Sequence, residues 1–284
     1  MSIQWFPGHM HQAQEQIRAV LPRIDVIIEL LDARIPFSSE NPMLAELRGK
    51  KPCLKVLSKS DLADPVQTAA WQAHFERETG VRARPISTKQ AGTIARLTEV
   101  CQKMAPARSS VNKPVRTMIA GVPNVGKSTL INILAGRKVA KVGNEPAITK
   151  SQKEVDVGRG VVVLDTPGIL WPRIESKHSG FRLAATGAVK ESALEYEDVA
   201  FYICGYLLDH YYEGLASRYN LEEKPAGAVA LLDAVGKRTG CLRKGGVVDY
   251  ERASKAFITD LRNGALGPLT LETPEMAIRE SGEE

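Results

Sequence analysis

The sequence contains no apolar run approaching the roughly 20 residues that a membrane-spanning helix requires. Its first ten residues also lack the basic-then-apolar layout of a secretory signal. Internal repeats and low-complexity tracts are absent as well. We therefore expect a cytoplasmic protein with no membrane partner.

Cysteine is scarce, and its spacing is uninformative for metal chemistry. The four cysteines, at positions 53, 101, 204 and 241, lie far apart and form no Cys-x-x-Cys pair. This spacing argues against a cysteine metal site. We expect reduced thiols that are buried as small apolar side chains.

Acidic residues are under-represented in the first part of the chain. Residues 1–174 carry 25 basic and 15 acidic side chains, whereas the remainder carries 13 and 18. The overall balance of 25% charged and 43% hydrophobic residues is typical of a globular protein. The basic first part suggests a polyanionic partner.

The first 165 residues alternate short β-rich runs with helical patterns, which predicts an α/β fold with a mostly parallel sheet and crossover helices. After about residue 175 the apolar spacing becomes helical and strand signals are few, which predicts a small all-helical domain. Each polar motif of the first part follows a predicted strand, at the edge where open α/β sheets bind ligands. The predicted strands are Val26–Leu31, Cys53–Leu57, Ala83–Ile86, Val115–Ala120, Lys153–Val157 and Val161–Asp165.

Residues 121–128 read Gly-Val-Pro-Asn-Val-Gly-Lys-Ser, which is a Walker A phosphate loop between a predicted strand and a predicted helix. Its glycines allow successive backbone amides to point at phosphate oxygens. Lys127 is expected to bridge the β- and γ-phosphates, and the Ser128 hydroxyl to bind Mg²⁺. The other loop residues that we expect to contact the nucleotide are Pro123, Asn124, Val125, Gly126 and Thr129.

A second phosphate-sensing motif follows the strand that ends at Asp165, where the chain reads Asp-Thr-Pro-Gly. Asp165 is expected to hold the magnesium shell through water, and the Gly168 amide to sense the γ-phosphate. Between the two motifs lies the polar segment 143–151. Its Thr149 is predicted to complete the Mg²⁺ coordination when triphosphate is bound, and to act in catalysis with Lys127.

Two strand ends upstream predict a base-reading site. The segment from Ser58 to Asp61 contains Lys59, whose aliphatic stem would flank a base. The Asp61 carboxylate would accept hydrogen bonds from N1–H and the exocyclic amine of guanine, which adenine cannot offer in the same way. The next strand end supplies Ser87, Thr88 and Lys89. The pattern therefore favours GTP over ATP.

The order of these motifs, with base reading before the phosphate loop, resembles that of the circularly permuted Ras-like GTPases. Residues 5–10 (Trp-Phe-Pro-Gly-His-Met) and 32–36 (Asp-Ala-Arg-Ile-Pro) resemble the bacterial ribosome biogenesis GTPase A (RbgA/YlqF) family in particular. The resemblance covers essentially the whole chain, including residues 245–250 and 262–264. One departure is Ser58, where the family usually has an asparagine that ties the base loop to the phosphate loop; weaker nucleotide affinity is therefore expected.

The resemblance implies a circularly permuted P-loop GTPase domain over residues 1–174, with segment 1–20 carrying His9. It implies a helical domain at 175–271 that contacts RNA or the ribosome. The acidic segment 272–284 is predicted to be disordered. The implied activity is Mg²⁺-dependent hydrolysis of GTP to GDP in late maturation of the large (50S) ribosomal subunit, stimulated by that subunit and its rRNA.

The chain lacks the glutamine that orients the attacking water in classical switch GTPases, because Ile169 and Leu170 follow Gly168. The resemblance implies that His9 supplies this function. It also implies that Asn124 helps to coordinate a K⁺ ion.

Several alternatives remain open at the level of sequence. The chain could be a GTP-gated RNA-binding or scaffolding module with negligible turnover, or a permuted GTPase of the small subunit. Arg34, expected to be exposed, could contact RNA or pair with Asp32. The tyrosines of the helical part could stack on RNA, although core packing is favoured. The preferred RNA-contact residues there are Lys237, Arg238, Arg243 and Lys244.

Overall fold

The computed structural model describes residues 15, 17–108, 113–140, 154–165, 176–189 and 195–282. Within these residues the chain forms one six-stranded sheet. The predicted strands are confirmed to within two residues at each end. They are β1 (Val26–Asp32), β2 (Cys53–Ser58), β3 (Val81–Pro85), β4 (Val115–Gly121), β5 (Glu154–Asp156) and β6 (Val161–Asp165).

The strand order is β3-β2-β1-β4-β6-β5, and every neighbouring pair is parallel except β5 and β6. Asp32 pairs with Ser58, and Leu30 pairs with Gly121, so β1 lies between the base-reading strand and the phosphate-loop strand. Because β1, β2, β4 and β6 run in the same direction, their carboxyl ends meet at one edge of the sheet. That edge carries the predicted nucleotide site.

Helices cover both faces of the sheet, as expected for a doubly wound α/β domain. On one face Trp71 and Phe75 pack with Met118 and Leu164 of the sheet. The helices of this first part are α1 (Pro36–Ser39), α2 (Pro42–Arg48), α3 (Pro65–Phe75), α4 (Ala91–Met104) and α5 (Lys127–Leu134).

The predicted helical region packs directly on the other face of the sheet. One continuous apolar cluster joins Ile28 and Ile119 of the sheet to Leu207 and Phe257 of the helices. Tyr219 is buried in the same cluster, and other tyrosines of this region pack against it, so core packing is confirmed for them. The helices are α6 (Lys177–Thr186), α7 (Tyr196–His210), α8 (Tyr212–Tyr219), α9 (Ala228–Thr239), α10 (Tyr250–Asn263) and α11 (Pro274–Ser281).

The prediction of disorder for residues 272–284 is wrong for the described part, 272–282. Thr273 caps α11 by accepting a hydrogen bond from the Met276 amide, and Ala277 is buried against the sheet domain. Glu272 is fully buried, and its carbonyl accepts a hydrogen bond of 3.1 Å from the Trp71 indole. The acidic composition did not reveal that these residues have partners far upstream.

The four cysteines are free and buried, as expected from their spacing. In the part of the chain that the structure describes, no helix combines the length and apolarity needed to cross a bilayer.

Candidate nucleotide site

The phosphate loop has the backbone shape that binds phosphate. Gly121 has a φ of +155°, and a Cβ at this position would lie 2.4 Å from the carbonyl oxygen of Leu30, so only glycine fits. Gly126 has a φ of +108° and forms the N-cap of α5. The loop therefore directs its amides and the N-terminus of α5 towards the same region, which favours an anion.

Lys127 lies inside the curve of this loop. Its Nζ donates hydrogen bonds to the carbonyl oxygens of Gly121 (2.9 Å) and Val122 (2.8 Å), and the side chain is 8% exposed. These two carbonyls hold the ammonium group within the loop. Ser128 and Thr129 follow in the first turn of α5 and are half-buried.

The residues that we expect to hold Mg²⁺ fit such an ion by position and chemistry. Asp165 ends β6 and is paired in register with Ile119 of β4, two residues before the phosphate loop. Serine hydroxyls and aspartate carboxylates are oxygen ligands of the kind that Mg²⁺ prefers, so the residue types at positions 128 and 165 suit the predicted role. Thr149, Gly168 and His9 lie outside the described residues.

Ser58, at the end of β2, connects the predicted base-reading segment to the phosphate loop. Its Oγ lies 2.8 Å from the Leu31 carbonyl oxygen and 2.9 Å from the Val125 carbonyl oxygen. A hydroxyl has one proton, so it donates to one of these carbonyls at a time. Serine therefore reaches the loop at the position where the family usually has asparagine.

Asp61 follows β2 at the same edge of the sheet, and its carboxylate can accept hydrogen bonds. Its carboxylate forms an ion pair of 2.8 Å with Lys89. Partial burial would raise the pKa of Asp61, but hydrogen bonds from Lys89 and Ser87 bring it below its ordinary value. The amide of Ser60 donates to the carbonyl of Ile86, which joins the two predicted base-reading loops.

Lys59 has a left-handed backbone, with a φ of +56°, and its ammonium lies 2.8 Å from Oδ2 of Asp32. Asp32 is buried and also binds Arg34 through two side-chain contacts, of 2.9 and 2.8 Å. Burial alone would raise the pKa of Asp32, but Arg34 and Lys59 hold it well below its ordinary value. Asp32 is thus held ionised at neutral pH beneath the predicted base-reading loop.

The expectation that Arg34 is exposed is wrong, because its side chain is only 1% exposed. The structure selects pairing with Asp32 over contact with RNA. Sequence reasoning missed Asp32 as the anchor of Lys59, although the Asp-Ala-Arg segment at the end of β1 was the available signal.

Asn124, predicted to contact nucleotide and K⁺, is exposed and has a φ of +58°. Its Nδ2 donates a 2.9 Å hydrogen bond to the carbonyl oxygen of Gly187, which is the residue following α6. The phosphate loop therefore contacts the helical region directly.

Known proteins resemble this chain over nearly its full length. A family model described as 50S ribosome-binding GTPase matches residues 116–225. Ribosome biogenesis GTPase A of Bacillus cereus is 45% identical over 282 residues, covering 97% of this chain and 95% of that protein. The chain belongs to the ribosome biogenesis GTPase A family. Mitochondrial ribosome-associated GTPase 1 of Bos taurus is a more distant relative, 34% identical over 94% of this chain and 88% of its own.

Solved structures agree with this membership. A GDP-bound YlqF has a TM-score of 0.66 at 28% identity and covers 92% of this chain and 99% of its own. YlqF from T. maritima bound to GNP has a TM-score of 0.65 at the same identity. The predicted fold, a permuted P-loop GTPase domain followed by helices, is confirmed. As a member of the ribosome biogenesis GTPase A family, the protein binds and hydrolyses GTP.

Proposed function

We propose that this GTPase acts in late maturation of the large (50S) ribosomal subunit, in the cytoplasm, and that the subunit stimulates its GTP hydrolysis. The observation that carries the proposal is the match of residues 116–225 to the 50S ribosome-binding GTPase model. That range starts at the strand before the phosphate loop and extends into the helical region. The full-length similarity to ribosome biogenesis GTPase A supports the same role.

The proposed rRNA partner requires cationic surface, and one such surface is a groove of about 570 Å³ beside edge strand β3. Arg77, Arg82 and Lys103 line this groove and are exposed. Its two acidic side chains are neutralised by intramolecular ion pairs, Glu76 with Arg84 and Glu78 with Arg48. The three remaining cations are therefore available to neutralise RNA phosphates.

A second cationic surface lies in the helical region, at the end of α9. A short hairpin closed by the bridge between Leu242 and Val248 carries Arg243 and Lys244. Arg243 forms an ion pair of 3.2 Å with Asp249. Lys237 and Arg238 lie in the last turn of α9. We assign all four basic residues to rRNA contact.

For the chemistry, we assign the phosphate loop and its neighbours as follows. Lys127 binds the β- and γ-phosphates, and Ser128, Thr149 and Asp165 hold Mg²⁺, which when bound neutralises the charge that develops on the phosphates. The Gly168 amide senses the γ-phosphate by donating a hydrogen bond to it. Selection of guanine rests on the ionised Asp61 carboxylate, flanked by Lys59 and supported by Ser87, Thr88 and Lys89.

We assign His9 to the orientation of the attacking water, because the Ile169 and Leu170 side chains cannot form hydrogen bonds. His9→Ala is expected to reduce subunit-stimulated turnover by about a hundredfold or more, which is the range of general base catalysis. His11→Ala is the matched control and is expected to retain the rate. Equal rates for both variants and the unmodified protein would refute the assignment.

We further propose that the Asn124 side chain helps to bind K⁺. Its Nδ2 is bonded to Gly187, which leaves the carbonyl oxygen Oδ1 as a ligand for a cation. The turnover rate is expected to be higher in potassium than in sodium chloride at equal ionic strength. Asn124→Ala should remove this difference. Equal rates in the two salts for the unmodified protein contradict the proposal.

The decisive experiment measures GTP turnover alone, with purified large subunits and with purified small subunits, at one fixed K⁺ concentration. Stimulation by large subunits alone supports the proposal. Stimulation by small subunits alone would instead indicate a small-subunit GTPase. GTP binding with negligible turnover under all three conditions would indicate a GTP-gated RNA-binding module.

A further inference from the structure

Arg34 connects the base-reading loop to the end of a helix more than two hundred residues away. Its Nη1 lies 3.5 Å from the carbonyl oxygen of Leu261 and 3.4 Å from that of Arg262. These carbonyls belong to the last turn of α10, where the Leu261 carbonyl also accepts a hydrogen bond of 3.3 Å from the amide of Gly264, the residue that caps the helix. A cation is the favourable partner there, because the helix dipole makes this end negative.

The other side of the same guanidinium faces the nucleotide site. Arg34 holds both oxygens of Asp32, and the Asp32 Oδ2 atom holds the Lys59 ammonium at 2.8 Å. Lys59 needs this support, because its backbone is in the left-handed region, which disfavours residues other than glycine. The position of the lysine stem thus depends on Asp32, and the orientation of Asp32 depends on Arg34.

The chain that follows α10 covers the same loop. The Leu269 amide donates to the carbonyl of Leu62 (3.0 Å), and the Leu271 amide donates to that of Arg34 (2.8 Å). A Cβ on Gly264 would lie 2.7 Å from the Leu62 side chain, so the two segments are in close contact. The end of α10 and the base-reading loop therefore form one packed unit.

We propose that Arg34 is a positioning residue for guanine recognition, and that through it the nucleotide affinity depends on the docking of the α10 end. The inference rests on the proposed role of Lys59 beside the base. Because linkage is reciprocal, guanine nucleotide stabilises the docked end of α10 to the same extent. Movement of α10 by a bound partner would then weaken nucleotide binding without contact with the nucleotide.

The test is a double-mutant cycle between Arg34 and Lys59, with the Kd of a fluorescent GDP analogue as readout. Arg34→Lys keeps the charge but loses the planar fork that holds both Asp32 and α10. It is expected to raise this Kd about tenfold in the otherwise unmodified protein and less than about twofold in a Lys59→Met background. The single variant should also raise the KM for GTP more than it lowers kcat.

The cycle separates this inference from the proposed function. If Lys59→Met leaves the Kd unchanged, the assignment of the base-reading site has failed. If Lys59→Met weakens binding but the Arg34→Lys effect is fully retained in its presence, only the positioning role has failed. Should Arg34→Lys not fold, the isosteric Asp32→Asn variant replaces it in the same cycle, with the same expected loss of effect.

Arg218→Ala provides the matched control. Arg218 pairs with Asp260 of α10 at 2.8 Å, and this pair is exposed to solvent, unlike the buried Arg34. Because Arg218 has no described contact with Asp32, Arg34 or Lys59, this variant is expected to retain the Kd of the unmodified protein. A loss of affinity as large as that of Arg34→Lys would show that any disturbance of α10 has this effect, and would overturn the specific role of Arg34.

Discussion

Two buried arginine–carboxylate pairs connect the sheet domain to the C-terminal part of the chain. They differ in the direction in which the pKa of the carboxylate is shifted. Asp32 pairs with Arg34 beneath the base-reading loop, and Glu272 pairs with Arg182 of α6. All four side chains are at most 4% exposed. The pKa of Asp32 lies well below its ordinary value, whereas burial raises the pKa of Glu272 to about 7 against the attraction of Arg182.

The difference arises from how many cations each carboxylate receives. The Asp32 carboxylate accepts hydrogen bonds from Nε and Nη2 of Arg34 and from Nζ of Lys59. Arg182 gives Glu272 one contact, at 3.3 Å, because its closer contacts, at 3.0 and 2.8 Å, go to Glu280. Equal burial therefore leads to opposite pKa shifts, since the attraction of opposite charges and the hydrogen bonds together outweigh desolvation at Asp32 but not at Glu272.

The largest expected effect comes from removing each arginine. Arg34→Met leaves an ionised Asp32 with Lys59 as its one remaining cationic partner among the described contacts, and should lower the free energy of unfolding by about 3–5 kcal/mol. Arg182→Met should lower it by a smaller amount, about 1–3 kcal/mol, because Glu272 can take up a proton. Urea denaturation at pH 6 measures both. Equal losses would show that the two pairs do not differ in charge state.

The next effect is a pH dependence of opposite sign. Stabilisation by ionised Asp32 is complete above its ordinary pKa of 3.8 and is lost below it, so the unmodified protein should lose its advantage over Asp32→Asn in acid. The pKa of Glu272 is raised from 4.5 to about 7, so its contribution is complete below pH 4.5 and falls by up to about 3 kcal/mol as the pH rises through 7. Unfolding free energies from pH 2 to 8, with Glu272→Gln as the second reference, check both slopes.

The smallest effect concerns adjacent serines of α1. Ser38 donates its amide and hydroxyl to the Glu272 carboxylate, whereas the Ser39 hydroxyl accepts from the Asp32 amide (3.0 Å) and donates to the Ile35 carbonyl (2.7 Å). Each alanine substitution should cost about 1 kcal/mol. The Ser38 hydroxyl donates to the Glu272 carboxylate and so lowers its pKa. Only Ser38→Ala removes such a donor, so only this variant should shift the pH dependence of the unfolding free energy near pH 7 to higher pH. A shift of that profile by Ser39→Ala would contradict the comparison.

The parts of the site that lie within one strand and its following loop could be predicted from the sequence. The phosphate loop could be predicted from Gly121, Gly126 and Lys127, because its conformation depends on residues that are neighbours in the chain. The placement of Asp61 and Ser87 side by side could also be predicted, since strand ends of a parallel sheet meet at one edge, while their role in guanine recognition stays a prediction. The catalytic role of His9 and the magnesium role of Thr149 stay predictions.

The errors concern residues whose surroundings come from distant segments. Arg34 reads as a surface side chain after a strand, and its burial results from the end of α10 and from the Leu271 amide. Glu272 reads as the start of an acidic tail, and it is buried because Ser38, Trp71 and Arg182 surround it. No local pattern encodes contacts across such separations.

The sequence by itself determined the fold, the nucleotide chemistry and the permuted order of the motifs, because these depend on periodicity and on short loops with strict backbone requirements. The tertiary structure alone decided which charged residues are buried, and which of them are held ionised. A pKa depends on the number and distance of opposing charges in space. For Asp32 and Glu272 those charges belong to different helices and loops of the chain.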